Sequence, residues 1–425
     1  GDVYKRQVYE GLKSYQSNIN TKVSQDIDKI NKLGHKIHEL NQQISKIEAG
    51  GIETAMDLRD ERDLALDQLG ALAKISYKED YKGVVTVKLE DEYFVDELHT
   101  YEIGKKTDKL TGFITPYWPQ LSDTDRDIYV NVFDFNVDIS TALNSDVGEL
   151  KALIMSRGDH WADYSDIEGK GEQEYLDTTN LSVIIDMQAK LDQMVHNMIT
   201  AINDQLCPNV TGPVGVTYQD ANGNTVNLSD AKVLDTENCA RGSDGELPPR
   251  ELFVRAGIER YTEVTGSDGK TYYVYNEEDT SDTSYMYSLT SCGVNEELKK
   301  IETLFPHLKQ NGEVDQQLGE RLEALWNKDL VGLDPTDPDE CNIEEYYQKM
   351  IGGLATVGNV YQKKAENLAG SVLTIENNRQ QVIGVSSDEE LQNMIKFQNA
   401  YNASSRFMTV ISDMIEHIVT RLGNG

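Results

Sequence analysis

The chain has 425 residues, of which 73 are Asp or Glu and 40 are Lys or Arg, so its formal net charge at pH 7 is −33. Such an acidic chain repels phosphate backbones and anionic lipid, which disfavours nucleic acid and membrane surfaces as partners. Its length allows roughly two to four domains. No apolar run approaches the roughly 20 residues of a membrane span, and no signal peptide is visible, so export would need another route.

An amphipathic pattern between Val23 and Ile47 is the first clear element. Apolar residues recur there at steps of three and four over more than three heptads, as in a coiled coil. Gly34 interrupts the helix formers at a cost of roughly 1 kcal/mol, and Gly50 and Gly51 predict the end of the helix. The predicted apolar face comprises Val23, Ile27, Ile30, Leu33, Ile37, Leu40, Ile44 and Ile47.

A second helix is predicted from Thr54 to Leu69, and its charges alternate in sign. We interpret this charged stretch as a solvated face with ion pairs three and four residues apart. The alternative, a functional carboxylate cluster, is disfavoured because Arg59 and Arg62 would neutralise it. The predicted apolar contacts are Met56, Leu58, Leu66 and Leu69.

The apolar period changes near Ile75 to the alternation typical of strands. Asp123, Asp125 and Asp127 resemble part of a calcium loop, but the central Gly and the distal Glu are absent, so a surface turn is favoured. The predicted strands are Gly83–Leu89, Glu92–Val95, Ile114–Trp118 and Ile128–Val137, with Glu90 and Asp91 as the turn between the first two.

The middle of the chain alternates between helical and β-rich stretches. Helical spacing returns from Gly148 to Met155 and again from Leu181 to Leu206, where Pro208 ends it. A second β-rich stretch follows, with a strong hairpin signal at Asp268-Gly269. After an acidic linker rich in Pro, helical spacing resumes from Ile343 to Ile383.

The last predicted helix begins at Ser386 or Ser387, each of which precedes a glutamate by three residues as in a capping box. It would run about 35 residues and span about 50 Å, so it needs a partner of similar length. The first long helix, at the other end of the chain, is the expected partner. We expect its apolar seam to pack between subunits, through Leu391, Met394, Ile395, Tyr401, Met408, Ile411, Ile415 and Ile418.

These elements predict a mainly α fold with β-rich insertions. We expect an elongated multi-domain rod of long antiparallel helices built from both chain ends, carrying one or two small β-rich domains. The expected segments are 1–75 (N-terminal arm of the helical rod), 76–145 (small β-rich insertion), 146–208 (helical segment packing on the rod), 209–295 (second β-rich insertion), 296–340 (helix and acidic linker) and 341–425 (C-terminal arm ending in a coiled-coil type terminal helix).

Residue patterns for catalysis are missing from the sequence. It contains no G-x-S-x-G, Walker loop, G-x-G-x-x-G or H-E-x-x-H. His35 and His38 could share a metal, but no third ligand is evident nearby, so exposed helix polarity is favoured. Four widely spaced cysteines without a C-x-x-C leave free thiols and one disulfide equally open. We therefore expect no enzyme, no catalytic residue, no metal site and no cofactor.

Several motifs resemble the FlgK family of flagellar hook-associated proteins. They are Asn41-Gln-Gln-Ile44, the block Asp60-Glu-Arg62-Asp63, the strand Gly83–Val87 and the C-terminal run Gly384–Glu390 with Asn393–Gln398. The charged block is the motif that points to the hook-associated member among flagellar axial proteins. The family's N-terminal helix is absent from this sequence, so the resemblance implies an N-terminally truncated chain, expected to be monomeric and unable to assemble.

The resemblance implies a structural, non-enzymatic role: a ring of subunits that joins the flagellar hook to the filament. The implied location is extracellular, in the bacterial flagellum, reached by type III export without a cleaved signal peptide. Implied partners are the hook protein, the second junction protein (FlgL), neighbouring copies and a cytoplasmic export chaperone on the terminal helix. The alternatives are a surface adhesin or other filament-associated protein that binds a ligand through its β-rich insertions and, third, an acidic hydrolase.

Overall fold

The structure is a computed structural model that describes residues 2–51, 54–135, 148–221 and 223–383, together with Lys396 and Gln398. The chain forms two compact units, Gly1–Leu354 and Ala355–Gly425. Long helices and small antiparallel sheets make up the described part, which confirms the predicted mainly α class with β-rich insertions. The division into six segments and the pairing of the two chain ends stay predictions.

Eight α-helices lie within the described residues. In chain order they are α1 (Asp2–Glu48), α2 (Met56–Leu72), α3 (Glu149–Arg157), α4 (Glu172–Asp177), α5 (Val183–Leu206), α6 (Glu296–Lys300), α7 (Gln316–Ala324) and α8 (Ile343–Ile383). Within the same residues no helix is long and apolar enough to cross a membrane.

The described strands are short and pair antiparallel in five small sheets. They are β1 (Ile75–Glu79), β2 (Val85–Leu89), β3 (Glu92–Val95), β4 (Gly104–Thr107), β5 (Ile114–Tyr117), β6 (Asn209–Thr211), β7 (Thr217–Gln219), β8 (Thr225–Asn227), β9 (Lys232–Leu234), β10 (Phe253–Val254), β11 (Tyr261–Thr265), β12 (Thr271–Tyr275) and β13 (Gly293–Val294). The sheet orders are β1-β2-β3, β4-β5, β7-β8, β11-β12-β9-β6 and β10-β13.

Helix α1 organises the first apolar core. It packs on α2, α3 and α5 and on strands β3, β4 and β5. Its predicted apolar face is buried from Val23 to Ile44, as the coiled-coil spacing indicates, whereas Ile47 is exposed in the last turn. The core beneath this face is closed by apolar side chains of α2, α3 and β2, together with Phe94 and Trp118.

Gly34 is a packing position, not only an interruption of the helix. A Cβ atom built there would lie 2.6 Å from Cζ of Phe94, whose side chain is fully buried. Real Cβ contacts are longer, so α1 can approach the end of β3 this closely only with glycine at the crossing.

Two local predictions are wrong. The sequence predicts an apolar contact for Met56, but this residue is 60% exposed because it stands in the first turn of α2. The strand expected from Ile128 is reduced, within the described residues, to isolated bridges of Ile128 and Asn131. Asp127 has a left-handed φ of 58°, and this turn breaks the extended run before a strand can form.

Other turn predictions are confirmed. Glu90 and Asp91 join β2 to β3 with positive φ at both positions. Asp268 and Gly269 lie in the turn that joins β11 to β12, and Gly269 also has a positive φ. The aspartates near residue 125 form the predicted surface turn, in which Asp123 accepts a hydrogen bond from the Arg126 amide.

A second apolar cluster surrounds α5 and the first turns of α8. Leu191, Met194 and Ile199 of α5 meet Tyr346 and Met350 of α8 there. The Tyr346 hydroxyl group is buried and donates a hydrogen bond to Oε1 of Gln193 over 2.8 Å. The start of α8 is therefore fixed to α5 by both apolar and polar contacts.

Candidate interaction surface

Helix α8 exposes a series of large apolar side chains beyond its first turns. Its first turns are buried against α5, but every residue from Ile351 to Asn378 is exposed. Large apolar side chains on this stretch are 38–66% exposed. They are Ile351, Leu354, Val357, Val360, Tyr361, Leu368, Val372, Leu373 and Ile375. Many large apolar side chains exposed on one helix are typical of an interface, since monomeric proteins rarely expose large apolar patches.

The seam expected on the terminal helix lies outside the described residues. This holds for all of its positions: Leu391, Met394, Ile395, Tyr401, Met408, Ile411, Ile415 and Ile418. The seam therefore stays a prediction, and α8 is the part of the C-terminal arm where the structure shows an apolar face.

Three asparagines attach the first β-rich stretch to α1. Asn20, Asn31 and Asn41 each use the side-chain amide in both directions, donating to one main-chain carbonyl and accepting from one main-chain N–H. We call these residues the asparagine anchors. Their partners are Gly112 O and Ile114 N for the first, Ile103 O and N for the second, and Val85 O and N for the third, at 2.8–3.0 Å.

The anchors satisfy main-chain groups that face α1 instead of another strand. A buried amide or carbonyl left without a partner costs about 1–3 kcal/mol, a cost that applies most fully to the buried bonds between Asn41 and Val85. Sequence reasoning missed these residues. Asn has a low helix propensity, so three asparagines spaced about three turns apart within a predicted helix could have indicated a specific role.

The charged block of α2 is a buried junction and not a solvated face. Arg62 is 1% exposed, and its guanidinium donates to Gly83 O at 2.5 Å, to Asn41 Oδ1 at 3.2 Å and to Glu79 Oε2 at 3.2 Å. The interpretation of Arg62 as a solvent-exposed residue is wrong because its partners come from α1 and the β1–β2 turn. Local charge alternation does not reveal such distant partners.

Arg59, three residues before Arg62 on α2, completes this junction. It binds both carboxylate oxygens of Glu48, at 2.7 and 2.6 Å, and also Glu79 at 2.7 Å. Its hydrogen bonds are the main reason that the pKa of Glu48 is lowered to about 2. A Cβ atom at Gly83 would lie 3.0 Å from Arg59 Nη2, and Gly83 also has a positive φ, so a side chain there would be strained.

A buried carboxylate joins α5 to two loops. Asp192 is fully buried and accepts hydrogen bonds from the amides of Tyr164 and Leu289 and from the hydroxyl group of Ser288. Burial outweighs these bonds and raises the pKa of Asp192 to about 7. The side chain therefore changes charge near neutral pH inside the joint that it holds.

The histidines considered as metal ligands do not converge on a shared site. His35 Nε2 lies 2.6 Å from Oε1 of Glu102, and His38 Nδ1 lies 3.3 Å from the carbonyl oxygen of Asp96. Across the residues with described positions, no group of three or more His, Cys, Asp or Glu side chains could hold a metal ion. All four cysteines are buried free thiols.

A cleft of about 630 Å³ at the end of α5 is where a hydrolase site would be sought. Two of its carboxylates, however, are bound to arginines: Asp204 to Arg260 at 2.5 Å and Asp315 to Arg321 at 2.8 Å. The bond to Arg321 lowers the pKa of Asp315. A general acid needs the opposite shift, so this pair does not form the two-carboxylate arrangement of a glycosidase.

Comparison with known proteins gives matches at both ends of the chain. The family model described as "Flagellar hook-associated protein FlgK helical domain" matches residues 5–212. The model described as "Flagellar basal body rod FlgEFG protein C-terminal" matches residues 380–421, which include the whole predicted seam. Both models describe flagellar proteins.

Comparison over the whole chain points in the same direction. Flagellar hook-associated protein 1 of Bacillus subtilis (strain 168) is 23% identical over 438 residues, which cover 98% of this chain and 69% of the relative. The chain is therefore similar in sequence to flagellar hook-associated proteins over nearly its whole length. The solved flagellar hook junction protein FlgK from Burkholderia pseudomallei is 14% identical, with a TM-score of 0.39; the match covers 72% of this chain and 54% of that one.

Proposed function

We propose that this chain is a structural component of the bacterial flagellum that links hook and filament through helical packing between subunits. The observation that carries the proposal is the order of the two family matches, a FlgK helical domain at residues 5–212 and a flagellar C-terminal segment at residues 380–421. A chain that contains both segments in this order has the parts expected of a hook-associated protein. The comparisons do not support the adhesin alternative.

The described surfaces suit a structural role. Helix α8 carries a long apolar face that can bury area against another helix, which is how helical assemblies gain most of their stability. Side-chain to main-chain bonds hold the first β-rich stretch on α1, which fixes its position on the helix.

The proposed partners are the hook protein, the second hook–filament junction protein, further copies of the chain in a ring and a cytoplasmic export chaperone on the terminal helix. The proposed location is extracellular, in the flagellum, reached by type III export without a cleaved signal peptide. The matched flagellar families and the name of the Bacillus subtilis relative support the flagellar location. Within the chain, we assign subunit packing to the seam from Leu391 to Ile418.

Deletion of the gene in its own bacterium tests the proposal. We expect electron microscopy to show hooks without filaments and flagellin released into the medium, because filament subunits would have no junction on which to assemble. Complementation with the Ile411→Asp, Ile415→Asp double variant should fail, whereas Asn402→Asp on the same segment should restore filaments. Normal filaments with lost surface attachment would favour an adhesin and overturn the proposal.

A further inference from the structure

The four free thiols divide into two pairs by their surroundings. Cys207 directly follows the last residue of α5, and Cys239 lies in the loop after β9. Both side chains belong to one buried apolar cluster, formed by α5, β9, β11 and α7. Cys292 and Cys341 belong to a different cluster, around α5 and the start of α8. The first pair is therefore separated from the second by its place in the core.

A main-chain hydrogen bond brings the backbones of the first pair together. The Ala240 amide donates to the carbonyl oxygen of Leu206 over 3.2 Å. That carbonyl belongs to the peptide group that ends at Cys207, and that amide belongs to the peptide group that begins at Cys239. Because peptide groups are planar with fixed bond lengths, the two cysteine Cα atoms lie no more than about 8.5 Å apart. Disulfide-bonded cysteines usually have Cα atoms about 4.4–6.8 Å apart, so the allowed range includes that of a disulfide.

Further hydrogen bonds hold the two chain segments at this place. The Asp235 amide donates to the carbonyl oxygen of Pro208 over 2.8 Å, and the Cys239 amide donates to the carbonyl oxygen of Asp235 over 2.9 Å. From β11, the Tyr261 hydroxyl group donates to the carbonyl oxygen of Cys207 over 2.9 Å. The segment after α5 and the loop after β9 are thus attached to each other on both sides of the cysteines.

The two thiols differ in their access to solvent. Cys239 is among the residues that line the cleft of about 630 Å³ at the end of α5, and it is 2% exposed. Cys207 is fully buried, and its thiol donates a weak hydrogen bond to the carbonyl oxygen of Pro249 over 3.6 Å. A small molecule that enters the cleft therefore meets Cys239 first.

We propose that Cys207 and Cys239 form an oxidation site, at which a low-molecular-weight disulfide in the cleft converts the two thiols into one disulfide bond. The Cys239 thiolate attacks the small disulfide, forms a mixed disulfide and releases one small thiolate. The Cys207 thiolate then attacks Sγ of Cys239 and releases the second. Each released thiolate takes up a proton equivalent to the one that the cysteine lost. Two cysteine thiols are oxidised, and one small disulfide is reduced to two thiols.

Burial determines how fast this exchange proceeds. It raises the pKa of both thiols, and it does so more strongly for Cys207, on which a charged Cys239 acts in the same direction. The thiolate and not the thiol is the nucleophile. The exchange is therefore slow at neutral pH and accelerates as the pH rises.

The disulfide would close the loop from Cys207 to Cys239, which contains β6 to β9. A closed loop restricts the unfolded chain, so the oxidised protein should unfold at a higher urea concentration than the reduced protein. Oxidising surroundings outside the cell favour such a bond. This last consequence rests on the proposed extracellular location, whereas the oxidation site itself does not.

Thiol mapping of the full chain tests the site. The purified protein is incubated with oxidised glutathione, blocked with N-ethylmaleimide, digested without reduction and analysed by mass spectrometry. We expect a peptide pair that links Cys207 to Cys239, with Cys292 and Cys341 still carrying the blocking group. Its rate of formation should rise about tenfold between pH 7 and pH 8, because the thiolate fraction of a thiol with a raised pKa increases by that factor.

Single variants separate the two steps. Cys207→Ser should stop at the mixed disulfide, with one glutathionyl group on Cys239, and Cys239→Ser should form no internal link. Cys341→Ser, in the other cluster, is the matched control and should form the same link as the wild type. The wild-type mapping requires no substitution, so it decides the proposal even where a variant does not fold.

Three results would overturn the proposal. They are a link between Cys292 and Cys341 instead of the expected pair, four blocked thiols after prolonged oxidation of the native protein at pH 8, and a link that forms only in urea. None of these measurements involves filament assembly. The oxidation site and the proposed function can therefore fail separately.

Discussion

At the scale of single residues, the described part of the chain places several ionisable groups where burial changes their chemistry. The pKa of Glu251 is raised to about 7 by burial, although Tyr287 donates a hydrogen bond to it, and Asp192 has the same shift for the same reason. Arg157, also buried, has its pKa lowered to about 10. These groups lie at joints between elements, so their charge affects how firmly the joints hold.

Replacement of Asp192 by Asn should reduce the pH dependence of stability. A carboxyl group whose pKa is raised in the folded state binds more protons there than in the unfolded chain between about pH 4 and 7. The contribution of Asp192 to the free energy of unfolding therefore falls as the pH rises through this window and is constant above it. Urea unfolding of the wild type and Asp192→Asn across pH 4–8 measures the slope, which should be smaller in the variant.

Glu251→Gln provides the comparison for this experiment. Because the pKa of Glu251 is also raised to about 7, Glu251→Gln should remove a share of the slope of its own, and the double variant should have a smaller slope than either single variant. An Asp192→Asn protein with the wild-type slope would show that Asp192 stays ionised in the folded state and would contradict the assignment.

At the scale of secondary structure elements, α1 determines where its neighbours lie. Its apolar face packs on three helices, and its asparagine anchors bind the main chain of the β-rich stretch. Gly34 lies where α1 crosses the end of β3, and the ring of Phe94 fills the space that a side chain would need. A change at this one position therefore tests how tightly the helix and the sheet are fitted together.

Gly34→Ala should destabilise the protein, although the same substitution in an ordinary helix stabilises it. The expected gain from helix propensity is up to about 1 kcal/mol, while overpacking of a tight core costs about 1–3 kcal/mol. We therefore expect a lower urea midpoint. Gly11→Ala on the same helix meets nothing within 4 Å and should raise the midpoint slightly. Equal effects of the two substitutions would show that Phe94 moves aside without cost.

How far the sequence predicts these elements depends on whether the signal is local. The face from Val23 to Ile44 and the turn at Glu90 and Asp91 are predictable because periodicity and turn chemistry act over a few neighbouring residues. The burial of Arg62 depends on Gly83 and Asn41, about 20 residues away on either side, and local charge alternation indicates the opposite. The contact between Phe94 and position 34 is likewise not predictable from the residues next to either position.

At the scale of the whole molecule, the excess of acidic residues is the dominant electrostatic feature. Acidic residues outnumber basic ones by 33, so not every carboxylate can have a basic partner of its own. Exposed ion pairs contribute only about 0–1 kcal/mol each, so the repulsion among the remaining carboxylates outweighs their attraction. The packing predicted between the two ends of the chain must overcome the same repulsion.

Added salt should therefore stabilise the folded chain. Screening shortens the Debye length to about 10 Å at 0.1 M and about 3 Å at 1 M ionic strength, which weakens repulsion over the surface more than contact between paired groups. We expect the melting temperature to rise by a few degrees between low salt and about 0.5 M, equally in NaCl and KCl. A falling melting temperature would show that ion pairs dominate.

The asparagine anchors have one more implication. They bind peptide groups, and peptide groups are chemically the same whichever amino acids flank them. The strands held on α1 can therefore accept many substitutions without losing their attachment. The spacing of the anchors has no such freedom: a single residue inserted between Asn31 and Asn41 would turn one amide by about 100° relative to the other and would detach one end of the strands.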